Sequence, residues 1–223
     1  MSNVGKLVRW YLRWMGLSQS SYIGALVFAT LLFWVIFKLT GAHVEISSAP
    51  WSQLIWGING YFLLVIGIIM PIWTEPIVSM GATRTQYAVT LLIVGAILAL
   101  CNWTIGLVAG LIEGSISNWM SVAWALIYAY GIYLLGWVAS LGILFKRVIT
   151  GILGFVSATA LAAVAMSPVI LATLFDPSLL QADNFAAAYD NAVLVQSTAI
   201  TAVLVVLVST ALVVVMRRLP LKA

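Results

Sequence analysis

"YAVTLLIVGAILALCNWTIGLVAGLIE", Tyr87 to Glu113, ends on an acidic residue and carries no other charge. A helix rises about 1.5 Å per residue, so roughly 20 apolar residues cross the ~30 Å hydrocarbon layer of a bilayer. The uncharged window 85–112 exceeds that length, and so do five others, at 14–37, 46–74, 114–145, 148–175 and 191–216. The whole chain is 64% hydrophobic and only 7% charged. A β-barrel would alternate over segments of about 10 residues, and no such alternation occurs. The expected fold class is an all-α integral membrane protein with six transmembrane helices, near 22–40, 53–73, 87–111, 120–145, 149–175 and 191–216.

The few charges orient the spans, because Lys- and Arg-rich loops stay cytoplasmic. With both termini inside, the cytoplasmic set is Lys6, Arg9, Arg13, Arg84, Lys146, Arg147, Arg217, Arg218 and Lys222, leaving only Lys38 outside. Glu45, Glu113, Asp176, Asp183 and Asp190 then fall outside, and Glu75 alone is inside. The expected location is the plasma membrane, multi-pass, with cytoplasmic termini. Read this way, the net charge of +4 is a topology signal and points to no nucleic-acid partner. The apolar run from Ile23 to Phe37 is at the upper limit for a signal peptide and no A-x-A site follows it, so it reads as a retained first span.

Residues 4–17, within a separate segment 1–20, form an amphipathic pattern. Lys6, Arg9 and Arg13 fall within about 60° on a helical wheel, opposite Val4, Leu7, Val8, Tyr11, Leu12, Trp14 and Met15. Such a helix, with Trp10 and Trp14 as aromatic members, suits the headgroup plane of a lipid membrane; the plainer reading is a basic flank that only sets topology. In the six-span domain, residues 21–223, Gly106, Gly110 and Gly114 are spaced for close helix approach. Pro168 is expected to kink the fifth span, with Ser167 satisfying backbone freed there. Cys101 is expected to be a buried packing residue. Asp176 and Pro177 suit a helix start, so 176–190 reads as a short outer re-entrant helix or an irregular acidic loop.

"TEPIVSMGATRTQY", residues 74–87, is a polar island between two spans. Thr83 and Gln86 have the capping-box spacing, which starts the third span. Pro76 can open a short helix before it and Gly81 can end it. No G-x-x-x-x-G-K-[ST] or H-E-x-x-H motif occurs in the chain, so no nucleotide or zinc site is expected within it. The span centres also lack Asp, Glu, Lys, Arg and His, which weakens proton-coupled transport.

These features together resemble the permease subunits of type-2 ABC exporters. Those proteins have an amphipathic elbow helix, six spans, a coupling helix between spans two and three, and a small outer re-entrant helix before span six. "MGATRTQY" is similar to a Gly-x-[Ser/Thr]-Arg-x-x-[Tyr/Phe] stretch in bacterial members. The resemblance covers the whole chain in architecture but only about eight residues in motif, and the short outer loops leave no room for an extracellular domain. It implies an exporter of a hydrophobic or amphipathic peptide, lipid or drug, working as a homo- or heterodimer of permease subunits. A separate ABC ATPase subunit would bind the ATP and Mg, and this chain would be no enzyme itself and hold no cofactor. Glu75, Ser79, Gly81, Thr83, Arg84, Thr85 and Gln86 would form the ATPase-coupling surface. The alternatives are a secondary transporter or substrate-capture component, and a non-transport binding or immunity protein.

Overall fold

The structure is a computed structural model that describes residues 4–13, 51–72, 77, 81–113, 119–144, 148–176 and 191–218. The expected first span, 22–40, lies outside the described residues, as does 177–190. The described chain is all-helical: α1 (residues 4–13), α2 (Trp51–Ile72), α3 (Arg84–Glu113), α4 (Trp119–Leu144), α5 (Val148–Ala165), α6 (Ser167–Phe175) and α7 (Asn191–Arg217). Helices α3, α4 and α7 are long and apolar enough to cross a membrane, and the bent α5–α6 pair adds a fourth candidate span. The large apolar side chains left exposed on α5 to α7, among them Phe155, Leu174, Phe175, Val206 and Leu207, would be a liability in water but cost nothing in lipid.

Helix α4 is the axis of the bundle and touches α2, α3, α5 and α7. Its tightest neighbour is α2, and the cause is a pair of glycines. A Cβ on Gly67 would land on the Tyr133 carbonyl, and one on Gly136 would land on the Leu64 carbonyl. The two backbones are therefore in direct contact, the packing that small residues allow where lipid supplies no hydrophobic drive between helices. Of the glycines expected to allow close helix approach, Gly106 and Gly110 are buried on α3, and Gly114 lies outside the described residues. Across α2 and α3, Asn59 Nδ2 donates to the Asn102 carbonyl at 3.2 Å. Among the described residues, Asn59 Oδ1 and Trp137 Nε1 are buried without a hydrogen-bond partner.

The fifth expected span bends by 59° between α5 and α6, with Pro168 in the first turn of α6. Proline has no N–H for the carbonyl four residues back. That carbonyl, Val164, accepts from Ser167 Oγ at 2.8 Å instead, as the sequence leads one to expect. The next, Ala165, accepts from Ser197 Oγ of α7 at 2.9 Å, and Ser197 Oγ accepts in turn from Trp124 Nε1 of α4 at 3.1 Å. One hydroxyl thus holds the break against two other helices.

One expectation needs correcting. Cys101 is exposed on α3, because the buried stripe of this helix passes through Leu98, Ala99 and Asn102 and the turn of the helix puts residue 101 outside it. Asp176 caps the C-terminus of α6, with its N–H bonded to the Ala172 carbonyl, at the expected end of the fifth span; the helix expected to start there lies outside the described residues.

Candidate functional site: the junction at the basic end

The chain runs up and down, so α2, α3, α4 and α7 each have one end at the level of Arg84 and Arg217. Lys6, Arg9, Arg13, Arg84, Arg217 and Arg218 all lie at this basic end, while the described acidic residues, Glu113 and Asp176, lie at the other. The polar island therefore joins α2 to α3 at the basic end. Glu75 and Ser79 lie outside the described residues. Ile77 is helical and 1% exposed, so the island sends this apolar side chain into the core.

Gly81 follows with φ +95° and is exposed. This is the left-handed region that a helix-ending glycine favours, and a Cβ there would meet nothing within 4 Å, so the backbone conformation alone demands glycine. Thr83 and Gln86 then form the expected capping box: Gln86 N–H donates to Thr83 Oγ1 at 3.1 Å and Thr83 N–H donates to Gln86 Oε1 at 3.0 Å. Two orphan donors at the start of α3 are satisfied by this exchange.

Arg84 and Thr85 reach α7. The Arg84 guanidinium donates to the Arg217 carbonyl at 3.2 Å, and Arg217 Nε donates to Thr85 Oγ1 at 3.2 Å. A cation on the last turn of α7 satisfies a carbonyl without an intrahelical partner and suits the helix dipole. Arg84 was expected to face outward for a partner; part of its fork is already engaged within the chain. One bond of this kind leaves other guanidinium N–H groups for a second acceptor.

One turn further into α3, Tyr87 is fully buried. Its hydroxyl donates to the Met70 carbonyl at 2.6 Å, one of the last in α2, and lies 2.9 Å from the Tyr11 hydroxyl of α1. A phenol has one hydrogen, so with that of Tyr87 given to Met70, Tyr11 is the donor between the two rings. Tyr11 is itself buried, and this burial pushes its pKa up to about 12. Leu7 and Val8 pack on the same core, which includes Leu212 and Met216 of α7.

The apolar face of α1, expected to meet lipid, thus meets the bundle. Lys6, Arg9, Trp10 and Arg13 are exposed on the other side, with Trp10 edge-on to Tyr11 at 4.9 Å between centroids; Trp14 lies outside the described residues. The phenol pair is the part of this site that sequence reasoning missed. Its members are 76 positions apart, and the available signal was Tyr11 on the apolar arc of α1.

Among the described residues, a groove lies beside the α5–α6 break, lined by Tyr128, Gly131, Leu161, Ala165, Thr201 and Val205 among others. It holds about 30 Å³, room for a water or two, whereas a drug-sized ligand needs about 300 Å³ or more. Among the described residues no His, Cys, Asp and Glu group is arranged to hold a metal ion. No protein-family model matches the chain, and no curated protein or solved structure matches it.

Proposed function

We propose that this chain is the permease subunit of an ATP-driven exporter, energised by a separate ATPase that docks on residues 74–86 at the cytoplasmic face. The observation that carries the reading is the wiring of that loop. Its capping box starts α3, Tyr87 ties the same turn to α2 and α1, and Arg84 with Thr85 ties it to α7. A push on the loop would therefore be felt by four helices at once, which is what a coupling element needs. The substrate path would run between two permease subunits, as in the exporters the chain resembles, through apolar walls that suit a hydrophobic or amphipathic peptide, lipid or drug. ATP and Mg belong to the partner.

The broken α5–α6 pair is a feature that secondary transporters use to bind ions through freed carbonyls. Here the Val164 and Ala165 carbonyls already accept from Ser167 and Ser197, which favours the ATP-driven reading. The test is transport in vesicles holding the chain with its ATPase. Uptake that needs ATP and survives collapse of the proton and sodium gradients supports the proposal; loss of uptake with an ionophore while ATP persists overturns it.

A further inference from the structure

The outward face of α1 carries Lys6, Arg9, Arg13 and Trp10 side by side. Its opposite face is occupied by the bundle, through buried Tyr11 and half-buried Leu7 and Val8. From this arrangement we infer that α1 is a binding site for anionic lipid headgroups, gripping the membrane by charge at its rim and not by insertion of its apolar side. The inference stands apart from the exporter reading and needs only that the bundle is embedded in a membrane.

Depth decides between lipid and a soluble partner as the occupant. Tyr11 meets Tyr87 and, through it, Met70. Tyr87 lies three residues inside the start of α3, about 4.5 Å at the helical rise, and Met70 lies two residues before the end of α2. Helix α1 therefore flanks the last turns of the spans and does not sit beneath them. A side face at that level points into the headgroup layer. There, cations meet lipid phosphates, and an indole sits at the boundary between polar and apolar regions. Arg217 and Arg218 are exposed at the same end and extend the basic band, with no acidic residue at this end among those described.

The test uses the full-length chain in a maltoside detergent, without ATPase or nucleotide, so that its outcome is independent of the transport reading. Phosphatidylglycerol or phosphatidylcholine is added in mixed micelles, and retained lipid and melting temperature are recorded. The wild-type chain is expected to retain phosphatidylglycerol over phosphatidylcholine and to lose it as salt rises from about 0.05 M to about 0.5 M. Each cation near an anionic surface is worth about fivefold in affinity, so Lys6→Gln/Arg9→Gln/Arg13→Gln should bind about 100-fold more weakly. Arg9→Lys/Arg13→Lys, which keeps the charge, should bind nearly as wild type. Equal retention of the two lipids by the wild-type chain, or salt-insensitive retention, overturns the inference with no variant needed. Unchanged phosphatidylglycerol binding by the triple Gln variant also overturns it.

Discussion

Tyr87→Phe isolates the junction, because it keeps the ring in its buried slot and removes only the hydroxyl that links three helices. Two hydrogen bonds go with that oxygen, to the Met70 carbonyl at 2.6 Å and to Tyr11 at 2.9 Å. A buried polar group left unpaired costs about 1–3 kcal/mol in soluble proteins, while interhelical hydrogen bonds in membranes average about 0.6 and reach about 1.7 kcal/mol. Losing both should therefore destabilise the chain by about 2 kcal/mol. Tyr11→Phe removes only the bond between the phenols and leaves Tyr87 donating to Met70, so about 1 kcal/mol is expected. In the double variant the orphaned Tyr11 hydroxyl is gone as well. Its cost should be close to that of Tyr87→Phe alone, with a coupling of about 1 kcal/mol in the cycle. The assay is thermal unfolding of the purified chain in detergent, where about 2–4 °C per kcal/mol is expected for a chain of this size. Additive effects of the two substitutions, or a shift under about 1 °C for Tyr87→Phe, would refute the bonded pair.

Burial pushes the Tyr11 phenol up to about 12 from its ordinary value of 10.0, so folding favours its neutral form. Stability from this group is full below pH 10 and declines as pH rises toward 12; the decline should be shallower in Tyr11→Phe when melting temperature is followed against pH. Ser197→Ala removes the hydroxyl between Trp124 Nε1 and the Ala165 carbonyl and should lower stability by about 1–2 kcal/mol, with Thr210→Ala, an exposed residue bonded within its own helix, changing little in the same melt. Gly67→Ala should be strongly damaging, since backbone on α4 blocks the methyl and α2 must move away; Gly131→Ala, whose Cβ would have ordinary contact with Thr201 and Val205 side chains, should be tolerated in a side-by-side expression and melting comparison.

Much of the fold was legible because the bilayer imposes a length on each span. Helices α2, α3, α4 and α7 begin and end within about three residues of their expected limits, a difference set by fraying and capping. The local chemistry of Thr83, Gln86 and Gly81 was legible too, since capping and left-handed φ depend only on near neighbours. Pro168 and Ser167 belong with them. What a helix face packs against was not legible. The apolar arc of α1 looks the same whether lipid or protein covers it, because both are equally apolar; only Tyr11, whose hydroxyl needs a partner when buried, hinted at protein. Cys101 and the Gly67–Gly136 contact were hidden for the same reason. Arg84 reads as a surface charge until α7 is known to end beside it.

The central claim is that residues 74–86 transmit work from an ATPase, and Gly81→Val tests it most directly. The side chain would enter open space, but its backbone would have to hold φ +95°, at a cost of about 1–2 kcal/mol or more for a β-branched residue. The loop should therefore change shape while the bundle, which contacts nothing at that Cβ, still inserts and melts within a few degrees of wild type. The measurement is ATP hydrolysis and transport by the complex of this chain with its ATPase in vesicles, with Gly81→Val and Arg84→Ala beside wild type and Thr83→Ala as the milder capping control. Transport reduced at least tenfold in the first two, by lost ATPase binding or by hydrolysis uncoupled from transport, is the expected result; full ATPase binding and full transport in both would contradict the account.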